Sequence, residues 1–192
     1  ILNDRGGIAK ALHRFGSYYS VRKEYETSLD YFTRALKIRQ ELGDRRGIGW
    51  LYNNIGIVYG GMGDGDKKFD YWERQLAIFK EIEDQFGIAW TLWNTGFTYA
   101  WDYYDFEKAL DYINQSVTIE LKLGAPSVAH LELGPIPLAG SGKRSTVYLS
   151  MGNYDTALQY SNVGLQYFEE QEWNCAVAWM LTTISTINIE RR

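Results

Sequence analysis

Hydrophobic residues recur along this chain at steps of three and four positions, the spacing that places side chains on one face of an α-helix. One such stripe contains Ile48, Tyr52 and Ile55, and the next begins at Phe69 and Trp72. Between the two stripes lies the sequence GGMGDGD, whose glycine and aspartate residues favour a tight turn. The pattern therefore predicts helical hairpins, each made of a helix A, a tight turn and a helix B.

The hairpin repeats every 40 residues. Gly16 is followed at this interval by Gly56 and Gly96, and the tyrosine three positions after each glycine recurs in the same way. A glycine inside a helix costs about 1 kcal/mol relative to alanine. We therefore expect helix A to approach helix B closely at each of these glycines, where a side chain would not fit. Repeats of this length predict an all-α array of about nine helices.

The repeats divide the 192 residues into four hairpins and one further helix within a single domain. The fourth hairpin contains all three prolines, and two of them fall in an insertion near residues 134–142. This insertion is either a small apolar contact tip or a tolerated loop. Both terminal repeats look incomplete, so we expect the chain to be a fragment of a longer protein. The boundaries lie at about residues 3–42, 43–82, 83–123, 124–172 and, for the half-repeat, 173–192.

The segment Asn54–Gly56 with Tyr59, followed by Trp72 and Leu76 in the next helix, resembles the tetratricopeptide repeat pattern. The 40-residue length is similar to that of a long-repeat subtype found in kinesin light chains, G-protein signalling modulators and bacterial and archaeal multidomain regulators. This resemblance implies a right-handed α-solenoid whose A helices line a concave face. It also implies a non-catalytic scaffold that binds a peptide or a partner's helix there, as the recognition arm of a regulatory protein.

The register of the repeat glycines selects the residues that would line the concave face. Asn54 and Asn94 share one register and offer donors and acceptors to the backbone of an extended peptide, while Trp50 and Trp90 would form apolar pockets beside them. Alternatively, these side chains bond and pack between neighbouring A helices. The candidate binding residues are Lys10, His13, Arg14, Ser17, Trp50, Asn53, Asn54, Ile57, Trp90, Trp93, Asn94, Phe97, Trp101 and His130.

The two tryptophans also bear on the charge of the ligand. In relatives of the signalling-modulator type, arginine tends to occupy the register of Trp50 and Trp90 and to bind acidic peptides. With tryptophan at both positions, only Lys10, His13 and Arg14 remain to receive carboxylates. An acidic ligand is therefore less strongly indicated here than in those relatives.

Composition excludes several classes of protein. An aromatic content of 16% is incompatible with a disordered tail, and a single cysteine, Cys175, cannot form an internal disulfide. The net charge of −4 and the small basic cluster at the front of the chain argue against a superhelix that binds single-stranded nucleic acid. A second possible function is self-assembly, in which copies stack through their open ends as a homo-oligomer.

No membrane partner and no cofactor are expected. No apolar run is long enough to span a bilayer and no signal peptide is visible, so we expect a cytoplasmic protein. The sequence GSGKRS at 140–145 lacks the first glycine of a phosphate-binding loop, and no predicted strand precedes it. His13 and His130 are too far apart for metal-ligand spacing. We therefore predict that the chain is not an enzyme and holds no metal.

Overall fold

The computed structural model describes residues 4–123, 141–170 and 172–191. Within these residues all regular secondary structure is α-helical, which confirms the all-α repeat fold. The nine helices of this part of the chain are α1 (Arg5–Val21), α2 (Tyr25–Glu41), α3 (Arg45–Gly61), α4 (Gly65–Glu81), α5 (Gln85–Trp101), α6 (Phe106–Lys122), α7 (Ser141–Ser150), α8 (Tyr154–Glu170) and α9 (Asn174–Glu190).

The chain forms two compact units, Ile1–Thr91 and Leu92–Arg192. In the first unit α1 packs on α2 and α3 packs on α4, and the two hairpins meet where α2 packs on α3. In the second unit α7 packs on α8, and α8 packs on α9. The assignment of the whole chain to one domain stays a prediction.

Aspartate residues begin several of the helices. The side chains of Asp4, Asp44 and Asp64 each accept a hydrogen bond, at 2.8–3.0 Å, from the backbone N–H three residues later. This contact satisfies one of the backbone donors that the first turn of a helix leaves without an intrahelical partner. Gly43 and Gly63 have φ angles of 67° and 83° just before two of these caps. Such left-handed backbone suits glycine because it has no Cβ, so the loops between helices follow from local sequence.

The glycines that mark the repeat lie where helix A and helix B come closest, as predicted. A Cβ added to Gly56 would lie 2.7 Å from Nε1 of Trp72 and 3.1 Å from the backbone carbonyl oxygen of Lys68. For Gly16 and Gly96 the nearest atoms would be 2.5 Å and 2.9 Å from the added carbon. Carbon atoms in proteins do not approach other heavy atoms so closely, and the absence of a side chain is therefore what permits this packing.

A stacked pair of tyrosines joins helix A to helix B in each of the four hairpins that the described residues contain. The ring centroids are 5.4–5.6 Å apart and the ring planes lie within 12° of parallel. In each pair the first tyrosine is the one that marks the repeat in the sequence, and its partner on helix B was not predicted. The pairs are Tyr19–Tyr31, Tyr59–Tyr71, Tyr99–Tyr112 and Tyr148–Tyr160.

Candidate binding site on the A helices

A chain of hydrogen bonds connects four predicted binding residues of the first unit. Nε1 of Trp90 donates to Oδ1 of Asn53 at 3.3 Å, and Nδ2 of Asn53 donates to Oδ1 of Asn54 at 3.0 Å. Nδ2 of Asn54 in turn lies 2.5 Å from Nε2 of His13. Each amide thus directs its oxygen towards Trp90 and its nitrogen towards His13. The structure brings these residues together from α5, α3 and α1.

The direction of this chain determines the state of the histidine. An amide N–H can only donate, so Nε2 of His13 must accept, and the proton of the neutral ring is then on Nδ1. Burial and, to a smaller extent, the positive charge of Arg39 lower the pKa of His13 from 6.5 to about 4. The ring is therefore neutral at pH 7. It can form hydrogen bonds with a ligand but brings no positive charge to one.

Exposed positive charge on α1 comes from Lys10 and Arg14, which lie one turn apart on either side of His13 in the sequence. The helices α1, α3 and α5 contain no aspartate or glutamate. Acidic side chains of the first unit lie instead on α2, on α4 and in the loops. The A helices of this unit therefore offer anions a surface without competing carboxylates.

The tryptophans of the first unit pack between neighbouring A helices. The rings of Trp50 and Trp90 meet edge to face, with centroids 6.1 Å apart, and Trp50 also packs against Phe79 and Phe86 at 5.1 Å and 5.9 Å. Both indoles are partly buried. The interhelical packing that the sequence left open as an alternative is thus present, and a ligand would meet only part of each indole ring.

The second unit contains a separate row of aromatic rings. Trp93, Phe97 and Trp101 follow one another at four-residue steps along α5, with centroids 5.6 Å and 4.3 Å apart. The last two rings are stacked within 13° of parallel, and Phe97 is 43% exposed. Asn94 follows Trp93 in the sequence and is partly buried.

The remaining candidates differ in how far they can contact a ligand. Ile57 is 46% exposed on α3. The hydroxyl of Ser17 donates to the backbone carbonyl oxygen of His13 at 3.2 Å, so its proton is already engaged within α1. His130 lies outside the described residues, as do positions 134–140 of the predicted insertion.

Arg39 influences this site and was missed by the sequence reasoning. It is 9% exposed on α2, pairs with Asp44 at 2.6 Å and contributes to the lowered pKa of His13. A Cβ on Gly47 would lie 1.6 Å from Nη1 of Arg39, so the glycine makes room for the guanidinium group. The glycine at this register recurs in the sequence, but its partner could be found only from the packing of α2 on α3.

The described residues contain neither a candidate metal-binding cluster nor a candidate membrane-spanning helix. Among them, no group of three or more histidine, cysteine, aspartate or glutamate side chains could hold a metal ion. None of the helices in the described residues is both long and apolar enough to cross a bilayer.

Residues 7–67 match a family model described as tetratricopeptide repeat. The match covers about a third of the chain, and this part is similar to tetratricopeptide repeats. The matched segment runs from α1 into α4. It contains three residues of the hydrogen-bonded chain, His13, Asn53 and Asn54, but not Trp90. Tetratricopeptide folds generally serve as non-enzymatic interaction scaffolds. No curated protein sequence matches the chain at a significant level.

Solved structures support the same fold. Aspartyl phosphate phosphatase F from Bacillus subtilis is 14% identical with a TM-score of 0.79, and the match covers 97% of this chain and 46% of that one. A Rap protein complexed with Competence and Sporulation Factor is 16% identical with a TM-score of 0.74, covering 97% and 53%. A putative kinesin light chain from Podosopora anserina is 11% identical with a TM-score of 0.71, covering 95% and 85%. At these identities the likeness concerns the tetratricopeptide fold alone. The chain spans about half the length of the first two proteins.

Proposed function

We propose that this chain is a non-catalytic scaffold that binds a peptide or a partner's helix along its A helices, as the recognition arm of a regulatory protein. The observation that carries the proposal is the chain of hydrogen bonds from Trp90 through Asn53 and Asn54 to His13. The helix that contains His13 also exposes two basic side chains, and the three A helices that these hydrogen bonds connect contain no carboxylate. The Rap protein that was solved with Competence and Sporulation Factor has the same fold, which supports a peptide as the ligand.

Asn54 is the residue best suited to hold a peptide backbone. Its contacts with Asn53 and His13 use one of its two N–H groups and one lone pair of its oxygen. The second N–H and the second lone pair match the carbonyl oxygen and the N–H of an extended peptide. Because the neighbouring bonds hold the amide in one orientation, little conformational freedom is lost when the ligand binds.

The surroundings of Asn54 indicate the kind of peptide. Ile57, one turn further along α3, offers an exposed apolar contact, and Lys10 and Arg14 attract an acidic side chain or a terminal carboxylate. An ion pair at such an exposed position contributes less than about 1 kcal/mol. Charge therefore orients the ligand, while the amide and apolar contacts supply most of the affinity.

Replacing Asn54 with alanine tests the proposal. The variant removes two hydrogen bonds to the peptide, each worth about 1 kcal/mol, so we expect affinity to fall by about 5- to 30-fold. A ligand is first selected from a peptide library with the wild-type protein, and its affinity for each variant is then measured by fluorescence anisotropy. Asn188→Ala, at an exposed position on α9, is the matched control and should bind as the wild type does.

A second variant separates loss of contact from loss of folding. Ile57→Ser changes an exposed side chain on the same surface and should also weaken binding without lowering the melting temperature. If Asn54→Ala and Ile57→Ser both capture the peptide as tightly as the wild type, the A helices of the first unit are not the binding site.

Self-assembly through the end helices is the second candidate function. It is favoured by apolar side chains that α9 leaves exposed, namely Trp179, Leu181 and Ile189 at 37%, 50% and 67%. Light scattering over a range of protein concentrations tests it, because a stacking module gains mass with concentration and a monomeric scaffold does not.

A further inference from the structure

Four side chains of the first unit form a hydrogen-bond chain that can run in only one direction. At one end Nε1 of Trp90 donates to Asn53 at 3.3 Å, and an indole nitrogen can donate but not accept. The oxygen of Asn53 must therefore face Trp90, which leaves its nitrogen to donate to the oxygen of Asn54. The nitrogen of Asn54 is then left to donate to Nε2 of His13. The polarity of the hydrogen-bond chain thus follows from the donor at its Trp90 end.

An amide that faced the other way would break the hydrogen-bond chain. If Asn54 turned its oxygen towards His13, its nitrogen would face the nitrogen of Asn53, and two donors would meet. Rotating Asn53 as well would only move the conflict to Trp90, whose N–H would then face an N–H of that amide. Asn53 is 5% exposed, and a buried donor that loses its acceptor is not compensated by water. The orientation of Asn54 is therefore set from α5, by a residue that need not contact the ligand.

The orientation of Asn54 selects the direction of an extended peptide. The oxygen and nitrogen of a primary amide lie close together, so they pair with the N–H and the C=O of a single peptide residue, which point to the same side of an extended strand. The N–H comes before the C=O along the peptide. Asn54 directs its nitrogen towards α1 and its oxygen, through Asn53, towards α5. The peptide residues before the paired one therefore extend towards α5, and those after it extend towards α1.

The charges on these helices favour the same direction. Residues 85–91, the part of α5 that belongs to the first unit, contain no charged side chain. In contrast, α1 exposes Lys10 and Arg14 and contains no aspartate or glutamate. A peptide that runs towards α1 brings its terminal carboxylate to the helix that carries these two cations. The reverse direction would bring the positively charged amino terminus there instead.

We propose that Trp90 is a positioning residue that fixes the amide of Asn54, and that a bound peptide consequently runs from α5 towards α1 with its carboxyl end on the side of α1. Since this direction is that of a peptide held at the same site, it rests on the proposed function. It adds the direction and the charge pattern of the ligand, and it gives Trp90 a role beyond its apolar contacts.

The polarity of the hydrogen-bond chain can be tested without a ligand. At pH 7, nitrogen-15 NMR of the wild type should show a proton on Nδ1 of His13 and none on Nε2, and a His13→Gln sample identifies the signals. Trp90→Phe keeps an aromatic ring but removes the donor, so Asn54 can present either atom and His13 should populate both tautomers. Trp50→Phe is the matched control, because it changes a tryptophan that packs on Trp90 outside the hydrogen-bond chain. It should leave the tautomer unchanged.

Two results of this measurement would overturn the proposal. One is a proton on Nε2 of His13 in the wild type, and the other is an equal response of the two tryptophan variants, which would indicate an effect of packing alone. If Trp90→Phe does not fold, Trp90 is replaced by benzothienylalanine, whose ring has nearly the same shape but carries sulfur in place of the N–H group. This variant should shift the tautomer in the same way.

Spin labels measure the direction of the bound peptide. A peptide selected from a library with the wild-type protein is synthesised with a nitroxide on a cysteine near either end, and the broadening of amide signals of the full chain is compared. The label near the amino end should broaden signals of residues 85–91 more than those of α1, and the label near the carboxyl end should do the reverse. Amidating the terminal carboxylate should weaken binding by about two- to fivefold at low salt and less at high salt, whereas acetylating the amino terminus should not.

The outcomes separate this proposal from the proposed function. If a peptide binds but the labels report the opposite direction, or if amidation and acetylation weaken binding equally, the direction is wrong while the peptide site remains. If no library peptide binds, the proposed function is wrong and the direction fails with it.

Discussion

Replacing Gly56 with alanine adds one methyl group where α3 and α4 come closest. The new carbon would lie 2.7 Å from Nε1 of Trp72 and 3.1 Å from the backbone carbonyl oxygen of Lys68. The Trp72 ring is only 4% exposed, and its Nε1 donates to the backbone carbonyl oxygen of Asn53 at 3.3 Å. The ring cannot move aside without losing a buried hydrogen bond and its packing.

Two opposing effects determine the size of the change. Alanine is the better helix former by about 1 kcal/mol. Overpacking a tight interior costs about 1–3 kcal/mol, and weakening the indole hydrogen bond costs about 1 kcal/mol more. We therefore expect the Gly56→Ala variant to lose about 1–3 kcal/mol of unfolding free energy.

Gly60→Ala is the matched control on the same helix. Its added Cβ would lie 2.8 Å from Cδ and 3.3 Å from Cε of Lys68, part of a flexible side chain that can move at little cost. We expect the unfolding free energy of this variant to stay within about 0.5 kcal/mol of the wild type, since the helix-propensity gain in a last turn offsets the displacement.

Urea denaturation followed by far-ultraviolet circular dichroism measures both variants. The expected order of unfolding midpoints is Gly60→Ala at or near the wild type, with Gly56→Ala clearly below. If Gly56→Ala is as stable as Gly60→Ala, the close approach of the two helices is not what requires glycine at this register.

Two further predictions concern the site and the fold. Because the folded protein lowers the pKa of His13 from 6.5 to about 4, the unfolded chain takes up the proton first as pH falls. The unfolding free energy should thus decrease between pH 6.5 and 4 by on the order of 2 kcal/mol. In urea denaturation at several pH values, His13→Gln should reduce the dependence of the unfolding free energy on pH. An equal dependence in the variant and the wild type would contradict the lowered pKa of His13. Tyr71→Leu removes the stack on Tyr59, whose ring centroid is 5.5 Å away, and the contact with Arg74, whose Cζ lies 5.3 Å from the Tyr71 centroid. We expect this variant to lose about 1–2 kcal/mol of unfolding free energy. Tyr18→Leu, at a 56% exposed ring, should change it by less than about 0.5 kcal/mol, and equal losses would refute a role for the stack.

Sequence reasoning was effective for features that recur locally. The apolar stripes and the turn before Asp64 follow from spacing within a repeat, and the glycines at positions 16, 56 and 96 follow from the 40-residue interval between repeats. A helix, its cap and its turn depend on residues close together in the chain, and the 40-residue period shows the same signal several times. The all-α repeat fold could therefore be predicted with no knowledge of the packing.

The candidate site was only partly predictable. The register of the repeat glycines predicts His13, Asn53, Asn54 and Trp90 as site residues, and the structure brings these four together. It did not indicate that they bond to one another or that burial beside Arg39 keeps the histidine neutral. Those facts depend on side chains about 40 residues apart in sequence, whose orientation no local pattern specifies.

The amino-acid sequence by itself determined where the helices begin and end, which face of each is apolar and where two helices must come close, because these properties follow from local spacing and steric size. Only the tertiary structure decided which apolar faces are covered. Ile8 and Ile48 have the same residue type and register, yet one is 47% exposed and the other 3%. The difference arises because α2 packs against α3, whereas no helix among the described residues packs on the face of α1 that contains Ile8. Burial depends on such a neighbour rather than on the residue itself.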